Sequence, residues 1–167
     1  MKKVGIVMGS DSDLPVIRKA TDTLDSFGIP YEVHIYSAHR TPEQARDFAL
    51  GAADNGFGAI IAAAGMAAHL AGAIAANTVL PVIGIPCKST TLDGIDALLS
   101  TVQMPSGIPV ATVAINGGVN AALLCAQILA VEDPELRGKL EAKREKDSAA
   151  VLAKDSAVMD RLKEDNN

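Results

Sequence analysis

The stretch Ser37-Ala38-His39-Arg40-Thr41-Pro42 sets a proton-exchanging side chain beside a permanent cation. Histidine is the side chain suited to proton exchange under physiological conditions, so His39 can serve as general acid and base. The guanidinium of Arg40 matches a phosphate as a two-pronged donor. Only seven Lys and Arg residues precede the tail of the chain, and Arg40 is one of them. A plainer account also fits: Thr41-Pro42 starts a helix, and His39 stands beside the cap. A second stretch, Gly9-Ser10-Asp11-Ser12-Asp13, offers a tight-turn glycine and hydroxyls just before a helix. Hydroxyls and helix N-terminal amides hold phosphate oxygens. Two aspartates repel a phosphate, so one of them suits sugar hydroxyls instead. Capping by Ser or Asp explains the same residues equally well. No Gly-Lys-Ser/Thr follows, so this is not a Walker loop, and the spacing is not GxGxxG.

Two further segments carry weaker signals. In Ala64-Gly65-Met66-Ala67-Ala68-His69, small residues such as Gly65 let the backbone approach a flat ligand closely. His69 either lines that site or is a satisfied core histidine. Met104 lies in Val102–Pro109, a loop shaped by two prolines and a glycine. It either covers an aromatic ring or packs in the core. His34 falls inside a strand pattern and reads as structural.

The elements that must position these residues follow from apolar spacing. Strand-length runs occur at Val4–Met8, Tyr31–Tyr36, Ala59–Ala63, Val82–Ile85 and Val110–Ile115. Helical spacing occupies the gaps: Ile17, Ala20, Leu24 and Phe27 up to Gly28, then Pro42 onward, Ala67–Asn77, Ile95–Ser100 and Asn120–Ala130. Such alternation predicts a three-layer α/β fold with a mostly parallel five-stranded sheet, flavodoxin-like in type. In such a sheet ligands bind beyond the carboxyl ends of the strands. His39, Arg40, Ser10, Asp13, Gly65 and His69 all fall in segments that follow strands. From Pro134 a charged helical segment runs to about Lys163, so the chain reads as one α/β domain with 132–167 as a helical arm. That arm is either a solvated helix or a packing surface for a neighbouring subunit. The small-residue pattern of Ala67–Ala76, which permits close helix approach, also suggests self-association.

Composition removes other classes. The chain has 167 residues, 49% hydrophobic and 3% aromatic, so Ala, Val, Ile and Leu must build its core. The net charge is −5, and between Asp47 and Ala130 the sole cation is Lys88. A nucleic-acid binder needs a basic face, which this chain lacks. No apolar run reaches the roughly 18–20 residues of a membrane span. No pattern of a secretory signal is present. Cys87 and Cys125 lie in apolar segments without metal-ligand spacing, as expected of buried thiols in a reducing cytoplasm.

Taken together and in order, the motifs resemble one family. They are Gly9–Asp13, Ser37–Pro42, Ala67-Ala68-His69-Leu70, Gln103-Met104-Pro105 with Gly107, and Asn120-Ala121-Ala122-Leu123-Leu124. The sequence resembles the catalytic subunit of phosphoribosylaminoimidazole carboxylase in its mutase form, over about residues 3–130. The resemblance implies de novo purine synthesis and conversion of N5-carboxyaminoimidazole ribonucleotide into 4-carboxyaminoimidazole ribonucleotide, without metal or other cofactor. It implies that Ser10, Asp13 and Arg40 bind the nucleotide and that His39 is the acid/base. By chemistry, Arg40 with the hydroxyls of Ser12 and Ser37 suits the phosphate, and Asp13 the ribose. Arg40 and His69 favour the mutase over the direct carboxylase of the same fold. Met66 stands where relatives commonly have a small residue, and Ala71 where they commonly have Pro. The family implies a homo-octamer with sites between subunits, and a synthetase that supplies the carbamate. Direct carboxylation of aminoimidazole ribonucleotide with CO2 and a non-catalytic flavodoxin-like module are the rival readings. A receiver domain would need a phospho-accepting Asp after the third strand, and Ala62–Gly65 has none.

Overall fold

The computed structural model describes residues 1–164. The last three residues of the expected arm, 165–167, lie outside the described residues. Five strands form one sheet: β1 (Lys3–Met8), β2 (Tyr31–Ile35), β3 (Phe57–Gly65), β4 (Val82–Cys87) and β5 (Ala111–Thr112). Every pairing is parallel and the order is β2-β1-β3-β4-β5. This is the flavodoxin-like arrangement expected from the alternation. The chain steps outward from β1 to β2, then returns to the other side of β1 for β3. That reversal opens a crevice at the carboxyl ends of β1 and β3.

The central strands are apolar along their whole length because both faces are covered. Val4, Ile6, Val7, Ile60, Ile61, Ile83 and Ile85 are all fully buried. Gly5 interrupts β1 for a reason of space: a Cβ there would lie 2.7 Å from the ring of Phe48. The edge strand β2 alternates only partly, and Val33 and Ile35 stay exposed.

Helix α1 (Leu14–Phe27) buries Ile17, Ala20, Leu24 and Phe27, the same four residues that its spacing selects. It ends at Gly28, whose φ of +70° is left-handed and costs a glycine little. Helix α2 (Pro42–Gly51) opens with Pro at its first position, where the missing N–H costs nothing. Helices α3 (Leu70–Ala75), α4 (Ile95–Val102) and α5 (Gly118–Leu129) complete the layers. Small residues do bring helices close here, but within the unit: a Cβ on Gly118 of α5 would lie 2.3 Å from the carbonyl oxygen of Val16 in α1. Helix α3 is mostly buried in its own unit.

The fifth strand is shorter than its apolar run. Val110–Ile115 pairs as a ladder only at Ala111–Thr112. Beyond it the chain still follows β4, with N–H donation from Val113 to Gly84 O at 3.1 Å and from Asn116 to Pro86 O at 2.9 Å. Asn116 has φ +57°, so the backbone leaves extended geometry there.

The chain divides into two compact units, one of residues 1–129 and one from Ala130 onward. The second is dominated by α6 (Pro134–Glu164). Asp133 caps this helix, accepting from the Leu136 amide at 3.0 Å. Pairs at i,i+4 spacing, Glu135–Lys139 at 3.0 Å and Lys143–Asp147 at 2.6 Å, line its sides. No helix among the described residues is long and apolar enough to cross a membrane.

Candidate active site

A cleft of about 660 Å³ lies at the carboxyl ends of the strands, beside the crevice of the reversed strand order. That volume suits a ligand of nucleotide size. Three turns supply the residues that sequence reading selected. Ser10, Ser12 and Asp13 come from the turn after β1, and Ser37, His39 and Arg40 from the turn after β2. Gly65 closes β3, and His69 precedes α3.

The turn after β2 is built around one hydroxyl. Ser37 Oγ accepts from the backbone N–H of His39 at 3.3 Å and of Arg40 at 3.2 Å. Thr41 Oγ1 in turn accepts from the Ser37 amide at 2.8 Å. These bonds fix the backbone and leave both functional side chains exposed to the cleft. A serine hydroxyl has one proton and two acceptor positions. With both positions used by amides, the Ser37 proton can be donated to an anion. Arg40 Nη2 donates to Gly9 O at 2.8 Å, which ties this turn to the end of β1.

The turn after β1 is organised likewise. Ser10 Oγ accepts from the Ser12 amide at 3.3 Å and from Ser12 Oγ at 2.9 Å. Asp13 ends this 3-10 turn as a nearly buried carboxylate. Loss of hydration holds its carboxyl above the usual range. Cys87 closes β4. Burial pushes its thiol up to about 12, and the nearby Asp13 charge adds to this. Cys125 is likewise buried in α5, its thiol pushed up to about 12 by burial.

The sign of the Asp13 shift gives a prediction. A carboxyl whose folded pKa is raised binds protons more tightly in the folded than in the unfolded state. Stability therefore falls as pH rises from the ordinary carboxyl range through the raised value. At neutral pH the fold carries a buried charge at a cost. Asp13→Asn should raise Tm at pH 7 and shrink its decline between acid and neutral pH. Differential scanning calorimetry across that range tests this; a lower Tm for the variant at pH 7 would refute it.

Met104 is placed apart from the cleft lining. A Cβ on Gly72 would lie 3.0 Å from Met104 Sδ and 2.8 Å from His69 Cε1. Gly72 thus makes room on α3 for both the sulfur and the imidazole, and within this chain Met104 packs by His69. Sequence reading passed over Lys88, Ser89 and Thr90, which also line the cleft. Their signal was the same as the others': they follow a strand. Lys88 is held by Asp93 at 2.9 Å and by donation from its amide to Asn116 Oδ1 at 2.9 Å. Met66 has φ +57°, a left-handed conformation that favours glycine.

A parallel sheet of this order, with hydroxyls, a buried carboxylate, a guanidinium and two imidazoles around one cleft at the strand ends, defines a flavodoxin-like α/β protein. The AIR carboxylase family model matches residues 3–150. The chain belongs to that family, as its motifs imply. It is 61% identical over 137 residues to the N5-carboxyaminoimidazole ribonucleotide mutase of Pyrococcus horikoshii, covering 82% of this chain and 77% of that one. To the mutase of Thermotoga maritima it is 53% identical over 154 residues, covering 92% and 90%. The crystal structure of Treponema denticola PurE matches with a TM-score of 0.84 at 32% identity, over 92% of this chain and 96% of that one.

Proposed function

We propose that this chain is a mutase of purine synthesis that converts N5-carboxyaminoimidazole ribonucleotide into 4-carboxyaminoimidazole ribonucleotide. The observation that carries the reading is the pairing of His39 and Arg40 on one rigid turn, in one cleft with Asp13 and His69. Arg40 and the hydroxyls of Ser12 and Ser37 hold the phosphate, and Asp13 accepts from the ribose hydroxyls. This leaves His39 for the reacting carboxyl group.

The reaction needs one proton moved twice. The N–CO2 bond breaks, its electron pair stays on the exocyclic nitrogen, and protonated His39 delivers a proton there. The enamine-like C4 then attacks the released CO2, and neutral His39 removes the proton from C4. Atoms and charge balance with no net proton taken up. CO2 must stay in place between the two steps. Ala64, Gly65 and Ala67 line the cleft with small apolar surface and backbone, which suits a dry pocket for it.

We read residues 1–131 as the α/β domain and 132–167 as its arm, and the molecule as a cytoplasmic homo-octamer fed by a carbamate-forming synthetase. An apolar stripe on α4 supports assembly: Ile95, Leu99 and Val102 are each about half exposed at i, i+4 and i+7 spacing. Met104 would then cover the ring of a substrate bound to a neighbouring copy.

The test is an ATP-independent assay with two substrates. The carbamate should be converted rapidly and reversibly. Aminoimidazole ribonucleotide plus CO2 should be converted only at CO2 concentrations far above those released in the cleft. Faster use of free CO2 than of the carbamate would replace this reading with the direct carboxylase.

A further inference from the structure

We infer that Met66 retains CO2 in the cleft: its thioether side chain covers the small-residue lining and bars escape between the two steps. The inference deepens the mutase reading and rests on it.

Among the residues lining the cleft, only Met66 and Leu70 are large and apolar. Leu70 is 2% exposed and belongs to the core, whereas Met66 is 67% exposed. The remaining lining residues are polar or charged, or else Gly or Ala. Met66 stands directly after Gly65, the last residue of β3, and before Ala67. It is thus joined on both sides to the small residues that suit the CO2 pocket.

Met66 also has a backbone conformation out of keeping with its residue type. Three non-glycine residues have positive φ among the described residues: Met66, Asp93 and Asn116. Asp and Asn adopt left-handed geometry comparatively readily, and Met does not. The turn is enforced from both ends. A Cβ on Gly65 would lie 3.3 Å from Cys87 O, so the end of β3 fits closely against β4. The Ala68 amide donates to Met66 O at 2.8 Å, and the His69 amide to Ala67 O at 2.8 Å. Glycine at position 66 would relieve the strain and remove an exposed apolar side chain. Within the chain, Met66 therefore carries two costs with little packing to offset them. An aminoimidazole ring and its CO2 in the cleft would cover the side chain and offset both.

The polar groups of the cleft cannot hold CO2. Arg40, Lys88 and the hydroxyls suit anions, and the migrating carboxyl group is an anion before and after its transfer. Between the steps it is a neutral, linear molecule that gives a cation or a hydroxyl little to grip. Exclusion of water and dispersion must hold it, and a polarisable thioether on a flexible stem supplies both. Escape is a defined side reaction. The carbamate takes a proton at nitrogen and yields aminoimidazole ribonucleotide and CO2, which water hydrates to bicarbonate and a proton.

The experiment runs unlabelled carbamate in isotopically labelled bicarbonate with carbonic anhydrase present. Mass spectrometry reads two quantities per turnover: label in the product carboxyl group, and aminoimidazole ribonucleotide released. Spontaneous loss from the carbamate is subtracted with an enzyme-free control. The native product should carry little label. Met66→Gly should raise both quantities roughly tenfold, the scale of one lost apolar contact. Met66→Leu, an apolar side chain of similar volume, should restore the native values. Tm of Met66→Gly should not fall, because glycine suits the left-handed turn, so a leak would not report lost fold. If Met66→Gly does not fold, Met66→Ala carries the same comparison. A folded Met66→Gly protein that retains CO2 like the native one overturns the inference. So does a Met66→Leu protein that leaks as much as Met66→Gly. Sedimentation of both variants should match the native protein; a change of assembly in Met66→Gly makes the side chain a subunit contact and also overturns the inference. If the native protein itself labels its product as fast as it turns over, the mutase reading has failed and the inference falls with it. Native retention that survives in Met66→Gly fails the role of Met66 alone.

Discussion

Replacing His39 by Asn should lower kcat by roughly 10²- to 10⁴-fold, the range typical of losing a general acid/base. Fold and nucleotide affinity should survive. The reason is local: the turn is held by the His39 backbone N–H on Ser37 Oγ, and the imidazole itself is exposed. Asn keeps a polar side chain of similar reach in the cleft. Tm should therefore match the native value, and KM should change far less than kcat. That split matters, because a group that only bound substrate would change KM instead. A folded His39→Asn protein that binds nucleotide and turns over near the native rate would falsify the assignment. The proton would then have to move through His69, which lines the same cleft on the α3 side.

Much of this site was legible in sequence because the sheet rule is simple. In a parallel α/β fold, residues just after strands share one end of the molecule. Ser10, Asp13, His39, Arg40, Gly65 and His69 obey that rule and share the cleft. Lys88 obeys it as well and lines the cleft, although no residue pattern in its loop singles it out. Met104 does not follow a strand. Its loop precedes β5, so the carboxyl-end rule gives it no position, and within the chain it packs by His69.

Boundaries were less legible than elements. The apolar run Val110–Ile115 has the composition of a strand, but the left-handed Asn116 and the turn from Ala114 to Gly117 draw it off the ladder. The small-residue stretch Ala67–Asn77 read as a longer helix than the six residues of α3. Small side chains there serve burial inside the unit. The apolar face left exposed belongs to α4, whose stripe of Ile95, Leu99 and Val102 carried no such compositional flag.

Arg40→Ala should raise KM by roughly 10- to 100-fold, the cost of a lost hydrogen bond to a charged partner. Two effects contribute, and they can be separated. The guanidinium holds Gly9 O at 2.8 Å, so its loss also loosens the turn after β2 from the end of β1. Arg40→Lys keeps the charge but loses the planar fork that can serve a carbonyl and a phosphate together. It should therefore fall between the native protein and Arg40→Ala. The decisive comparison uses a ligand without the phosphate, aminoimidazole riboside, beside its ribonucleotide. If Arg40 binds phosphate, the native protein should prefer the ribonucleotide strongly, and Arg40→Ala should lose most of that preference. The affinity for the riboside should hardly change. If instead Arg40→Ala weakens both ligands equally, the side chain acts by bracing the turn. The phosphate must then be held by Ser12 and Ser37 alone, whose hydroxyls bring no charge to it.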